Sequence, residues 1–217
     1  MVHRIKQFLF KNFYHTFAWT YDFIAELVSI GRWNEWIQSI LPDIQGKCIL
    51  EIGHGPGHLQ ELLMHEKRII IGLDESRQMG RLTKRRLGSA GHFKFNLTRA
   101  RAQSLPFVEN TFDTVFSTFP TEYISDVQTL SAVNRVLHKD GRLIVVPAAW
   151  ITGQKMLDKI AASLFKITGQ SPAFSAGIVS EQIKSQFEKA GFKTEFKIKL
   201  FDSSIVLIII AVKPTGI

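Results

Sequence analysis

From Lys47 onward the chain alternates short β-branched runs with stretches of helical periodicity, the pattern of a parallel sheet joined by crossover helices. The first two runs are Lys47-Cys48-Ile49-Leu50-Glu51-Ile52 and Arg68-Ile69-Ile70-Ile71-Gly72-Leu73. Between them Leu59, Leu62 and Leu63 recur at helical spacing over His58 to Glu66. A helix through Leu82 and Leu87 leads to a strand over His92 to Leu97, and Thr111 to Thr118 is the next strand. Over Asp126 to His138 the apolar positions Val127, Leu130, Val133, Val136 and Leu137 mark one buried helical face. Gly141 then opens a strand over Arg142 to Val146, whose continuous apolarity suits burial on both faces.

Near the C-terminus the period changes to two. Phe192, Thr194, Phe196, Ile198 and Leu200 alternate with Lys193, Glu195, Lys197 and Lys199, which predicts a half-exposed strand. A turn at Asp202-Ser203-Ser204 returns it as a buried strand over Ile205 to Val212, making an antiparallel hairpin. Ahead of the hairpin, Ser180 is placed to cap a helix over Glu181 to Ala190 that Gly191 stops. Two segments differ from this core: residues 3–30, crowded with aromatics, and residues 149–179. The expected layout is one domain: an N-terminal helical cap over 1–46, a core over 47–148, an insertion over 149–179, and a helix with hairpin over 180–217.

Composition agrees with a globular domain, at 45% hydrophobic and 21% charged over 217 residues. The longest apolar run, Ile205 to Val212, falls far short of the ~20 residues of a membrane-spanning helix. No small-residue cleavage site follows the first residues, so no secretion signal is read, and with Cys48 as the single cysteine a cytoplasmic location is expected. The net charge of +8 is spread along the chain. Its densest run, Arg77, Arg81, Lys84, Arg85 and Arg86, reads as one solvated basic helix face, and nucleic-acid binding is not expected.

Chemistry concentrates in Glu51-Ile52-Gly53-His54-Gly55-Pro56-Gly57, where a strand ends and a helix begins. Glycine there permits positive φ and lets a ligand approach the backbone, and the following helix offers unpaired amides. Asp74 closes the next strand, where an aspartate can accept both hydroxyls of a ribose. Together they point to a nucleoside-containing cofactor. The spacing is Gly-x-Gly-x-Gly, with His58 where a dinucleotide motif carries its third glycine, which weighs against a nicotinamide cofactor. Cys48 reads as an inert core thiol, and His54 with His58 lacks a third ligand, so no metal site is expected.

An acidic residue followed by Gly-x-Gly-x-Gly resembles the first motif of the class I S-adenosylmethionine-dependent methyltransferases. The resemblance continues through Asp74, Ala102-Gln103-Ser104-Leu105-Pro106-Phe107, Phe112-Asp113-Thr114-Val115 and Arg135-Val136-Leu137 to Gly141-Arg142-Leu143. Within that class these motifs, with Tyr21-Asp22, Gly31 and Trp33 upstream, look most like the ubiquinone/menaquinone-biosynthesis type. The resemblance implies an α/β, Rossmann-like, seven-stranded and mostly parallel sheet with an antiparallel C-terminal hairpin and helices on both faces. It also implies S-adenosyl-L-methionine as cofactor and S-adenosyl-L-homocysteine as product. Glu51, Gly53, Gly55 and Gly57 would surround the methionine moiety and Asp74 would hold the ribose. Glu75 and Met79 would lie beside sugar and adenine, Ala102 at the adenine edge, and Tyr21 over the cofactor. Family members often carry an aspartate before that alanine; here it is Arg101, a pure donor that cannot accept from the adenine amino group, and Gln103 or a backbone carbonyl would replace it.

Methyl transfer needs positioning more than a dedicated base. If the acceptor is a carbon acid or phenol, Glu122, Tyr123 or His54 would serve as base near the sheet's carboxyl edge. The expected acceptor is a small lipophilic molecule, a quinone precursor or lipid-like compound, enclosed by residues 3–30 and 149–179, with residues 3–30 also resting on an anionic membrane. Two other classes compete: a nicotinamide-dependent reductase, and a non-catalytic RNA- or membrane-binding module.

Overall fold

The computed structural model describes residues 29, 31–64, 68–152 and 176–215, those of 176–180 by backbone alone. Tyr21, nearly all of the aromatic segment 3–30 and most of the 149–179 insertion lie outside the described residues.

Seven strands form one sheet in the order β3-β2-β1-β4-β5-β7-β6. They are β1 Cys48–Ile52, β2 Ile69–Asp74, β3 Asn96–Arg99, β4 Phe112–Thr118, β5 Leu137–Ile151, β6 Lys193–Phe201 and β7 Ser204–Val212. The β1–β2, β2–β3, β1–β4 and β4–β5 pairs are parallel, whereas β7 runs antiparallel to both β5 and β6. The expected mixed sheet with its antiparallel hairpin is therefore present. Helices α1 Trp33–Gln38, α2 His58–Leu63, α3 Arg77–Ser89, α4 Val127–Val136 and α5 Ala176–Lys189 surround it.

The sheet separates two apolar layers. Leu50 and Ile52 of β1 join Leu130 and Val133 of α4 and Phe187 of α5 on one face. Ile49 faces the other way, with Trp36 and Ile37 of α1 and Leu59 and Leu63 of α2. Side chains alternate along a strand, so Glu51 shares the α2 side with Ile49. That alternation puts a carboxylate under a helix at the end of the strand.

Several boundaries differ from the periodicity. The helix expected to reach His138 stops at Val136, because Leu137 pairs with Phe112 at the start of β5. β5 extends past Val146 to Ile151 because its ladder with β7 continues to Ser204. β3 begins at Asn96 rather than His92, since Gly91 at φ +84° and the His92 N–H donating to Leu87 O close the end of α3. α5 begins at Ala176, ahead of the expected cap at Ser180. In β6 the alternation breaks: Ile198 and Leu200 are 64% and 72% exposed, while Lys197 reaches Asp43 at 2.8 Å and Lys199 the carbonyl of Ser39 at 3.3 Å. No helix among the described residues is long and apolar enough to cross a membrane.

Candidate active site at the carboxyl edge of the sheet

The glycine loop leaves β1 with Gly53, Gly55 and Gly57 at φ +73°, +52° and +87°, all in the region that side-chain-bearing residues rarely adopt. Gly57 caps α2 in this left-handed conformation. Gly53 N–H donates to Leu73 O at 2.7 Å, which ties the loop to the end of β2. Gly55 N–H donates to Asp74 Oδ2 at 2.9 Å, and Ser76 N–H donates to Asp74 Oδ1 at 2.7 Å. Each oxygen of Asp74 thus holds one backbone amide. A carboxylate has about four acceptor positions, so capacity remains for two hydroxyls.

Beneath the loop, Gly55 O accepts from His54 Nδ1 at 2.8 Å and from Thr83 Oγ1 at 2.7 Å. His54 is buried, and burial pushes its basicity down. Its Nδ1 lies against Gly55 O and Thr83 Oγ1, which ties the ring to the loop. Thr83 comes from α3, on the helix face shared with Met79 and Leu87, and the sequence analysis missed it. No local signal marks it, because its partner lies 28 residues upstream.

Glu51 is 3% exposed and accepts from Gln60 Nε2 at 2.7 Å. Burial raises its carboxyl pKa to about 8, opposed by the Gln60 hydrogen bond and assisted by the charge of Asp74. Gln60, fully buried on α2, leaves its Oε1 without a partner. A polar residue beside Leu59 on the apolar face of a helix was the signal that would have revealed it. The buried carboxyl is acceptor-rich and underpaired, a suitable counter-group for an ammonium.

Tyr123 lies in a 3-10 turn over Glu122–Ser125. Its hydroxyl contacts Ser117 Oγ at 2.8 Å and donates to Ile52 O at 3.3 Å. It also stands 2.5 Å from where a Cβ at Gly53 would be, so it fills the space that glycine leaves. Burial moves its pKa upward. Tyr123 is therefore set to brace Gly53. Glu122 is exposed at the start of the turn.

The remaining positions spread along the same edge. Met79 and Ala102 are buried, at 5% and 7% exposed. Arg101 Nε sits 3.2 Å from Glu75 Oε1, and Arg99 Nε donates to Glu75 O at 2.9 Å. Arg101 thus faces a carboxylate. Gln103 turns its amide toward Asp126 Oδ2 at 3.1 Å, which is also the cap of α4. On the other side, a partly open cleft is lined by Glu51 and the Gly53–Gly55 segment together with Trp33, Ile37, Leu59, His58 and Thr118. Trp33 stacks on Phe119 at 4.6 Å between ring centroids.

A sheet of this order with a glycine-loop turn after β1 and an acid after β2 defines the class I methyltransferase architecture. Residues 50–145 match the methyltransferase-domain family. Among curated proteins it is similar to the ubiquinone/menaquinone biosynthesis C-methyltransferase UbiE of Blochmanniella floridana, 31% identical over 150 residues that cover 65% of this chain and 59% of that one. UbiE of Escherichia coli O1:K1 / APEC is 30% identical over 143 residues, 61% of this chain and 56% of that protein. The chain thus spans under two thirds of the length of these relatives.

Among solved structures, phosphoethanolamine N-methyltransferase 2 of Haemonchus contortus, in complex with S-adenosyl-L-methionine, superposes with a TM-score of 0.63 at 18% identity, over 95% of this chain and 60% of that one. The YcgJ protein of Bacillus subtilis gives 0.62 at 17% identity, over 84% and 99%. The [4+2]-cyclase SpnF gives 0.59 at 15% identity, over 85% and 81%. These structural likenesses show the fold. The family match falls on the methyltransferase side of the choice against a nicotinamide-dependent reductase.

Proposed function

We propose that the protein transfers the methyl group of S-adenosyl-L-methionine to a small lipophilic acceptor, a quinone precursor or a lipid-like molecule. The observation that carries this reading is the cleft, in which the buried Glu51 and the glycine loop share one lining with Trp33, Ile37 and Leu59. The names of the UbiE relatives support a quinone-type acceptor.

A cofactor held in this site would supply an electrophilic methyl group on a sulfonium centre, open to direct displacement in which the C–S bond breaks, its electron pair going to sulfur, as the acceptor's electron pair bonds the methyl carbon. The residues of the chain position and enclose. Glu51, with Gln60 behind it, faces the cationic methionine end. The Gly53–Gly57 backbone admits the ligand because a Cβ at Gly55 would meet only open space, marking the exposed lip of the loop. Asp74 accepts the ribose hydroxyls with the capacity its two amides leave. Met79 and Ala102 flank the adenine. Trp33 and Ile37 exclude water from the path between donor and acceptor, which favours a displacement whose charge is dispersed in the transition state.

The test is mass spectrometry of a total lipid extract incubated with the protein and methyl-labelled S-adenosylmethionine. Label in an apolar product is expected. Label confined to water-soluble compounds overturns the lipophilic acceptor, and failure of S-adenosylhomocysteine to raise the melting temperature overturns methyl transfer.

A further inference from the structure

We propose that the outer face of α3, together with Phe93, docks on an anionic lipid bilayer. Arg77, Arg81, Lys84 and Arg85 are all exposed. At 3.6 residues per turn they fall within an arc of about 100°. The buried residues Met79, Thr83 and Leu87 occupy the opposite side.

These four cations differ from their neighbour. Arg86 is tied to the fold, with Nε donating to Pro56 O at 2.9 Å and Nη1 3.8 Å from Glu61. No side-chain bond or ion pair to a described residue holds Arg77, Arg81, Lys84 or Arg85, and α3 carries no acidic residue at all. Like charges three and four residues apart weaken a helix. The face therefore costs the fold stability, with no ion pair to a described residue to offset it.

An exposed apolar side chain follows the end of this helix. Gly91 turns the chain out of α3, and Phe93 directly beyond it is 84% exposed, next to the exposed Lys94. A basic helix face lying flat, followed by an exposed aromatic side chain, matches the charge of a bilayer surface and the apolar layer beneath its headgroups. Nucleic acid suits it less well. Single strands are held in basic grooves with aromatic platforms inside them, whereas one helix face is convex and Phe93 stands outside the row of charges.

The full chain should sediment with phosphatidylcholine vesicles containing phosphatidylglycerol, less so as salt rises, and not with phosphatidylcholine alone. Each basic residue near the surface contributes about a five-fold change in partition. Arg81→Glu with Arg85→Glu should therefore lower binding at least 25-fold, by about five-fold twice. Phe93→Ala should lower it about ten-fold without changing the salt dependence. Both variants should keep the S-adenosylhomocysteine-induced rise in melting temperature, which reports an intact fold. Absence of vesicle binding at low salt, binding unchanged in the double variant, or tighter binding to RNA or DNA than to the vesicles overturns the proposal.

Discussion

Thr83 donates its hydroxyl proton to the carbonyl of Gly55 at 2.7 Å, and its methyl group stands where a Cβ at Gly57 would have to go. A single threonine on α3 thus fastens two of the three loop glycines. Thr83→Val keeps the shape and removes the hydrogen bond. It should lower stability by about 1 kcal/mol in urea unfolding, because His54 still supplies one donor to Gly55 O. Gly57→Ala faces both the steric conflict and a φ of +87°. The loop must move, and calorimetry should show S-adenosylhomocysteine affinity falling more than ten-fold.

Asp74 joins the loop to the second strand through Gly55 and Ser76. Asp74→Ala should reduce cofactor affinity by about 1 to 3 kcal/mol, the scale of hydrogen bonds to a charged group. Unchanged affinity by calorimetry would remove Asp74 from the site.

Glu51 makes the site sensitive to pH. Its carboxyl pKa, near 4.5 when unperturbed, rises to about 8 in the fold. Between those values the folded chain keeps a proton that the unfolded chain has released. Stability should therefore fall as pH rises from about 4.5 and level off above about 8. Glu51→Gln should flatten this dependence and stabilise the ligand-free chain at alkaline pH, on the order of 4 kcal/mol in denaturant titrations. A cationic ligand favours the ionised carboxylate. Its binding to the natural chain at neutral pH should release a proton, seen as a buffer-dependent calorimetric enthalpy, and Glu51→Gln should abolish that release.

Arg101 and Glu75 form an ion pair with side chains 70% and 59% exposed. Solvent screens such a pair, so Arg101→Ala should change stability by no more than about 1 kcal/mol. Its effect on S-adenosylhomocysteine affinity, measured by calorimetry, should be equally small if the guanidinium does not touch the adenine.

At the opposite edge of the sheet, Asp113 Oδ2 accepts from Lys47 N at 2.7 Å and Cys48 N at 3.0 Å. Gly46, at φ +80°, lies so close that any Cβ would collide with Asp113. Gly46→Ala should destabilise the chain by about 1 to 3 kcal/mol in thermal or urea unfolding. Cofactor affinity should hold, because this edge lies at the amino ends of β1 and β4.

The sequence by itself determined the alternation of strands and helices, the glycine loop between β1 and α2, Asp74 at the end of β2 and the antiparallel hairpin. Each of these is local: periodicity, turn chemistry and strand ends depend on residues within a few positions of one another. Only the tertiary structure decided which face each polar group meets. His54 and Tyr123 stand near the sheet's carboxyl edge by sequence, but only the fold brings one to Gly55 O and the other to Ile52 O and Ser117. Thr83 and Ser117 carry no signal of their role, since their partners come from other elements, and Gln60 shows only as a polar residue on an apolar helix face. The break in β6 has the same origin: Lys197 and Lys199 turn toward Asp43 and Ser39, more than 150 residues away along the chain. Burial works in the same way for Glu51. Its acidic type is written in the chain, but its pKa depends on α2 lying over it and removing water from its carboxyl group.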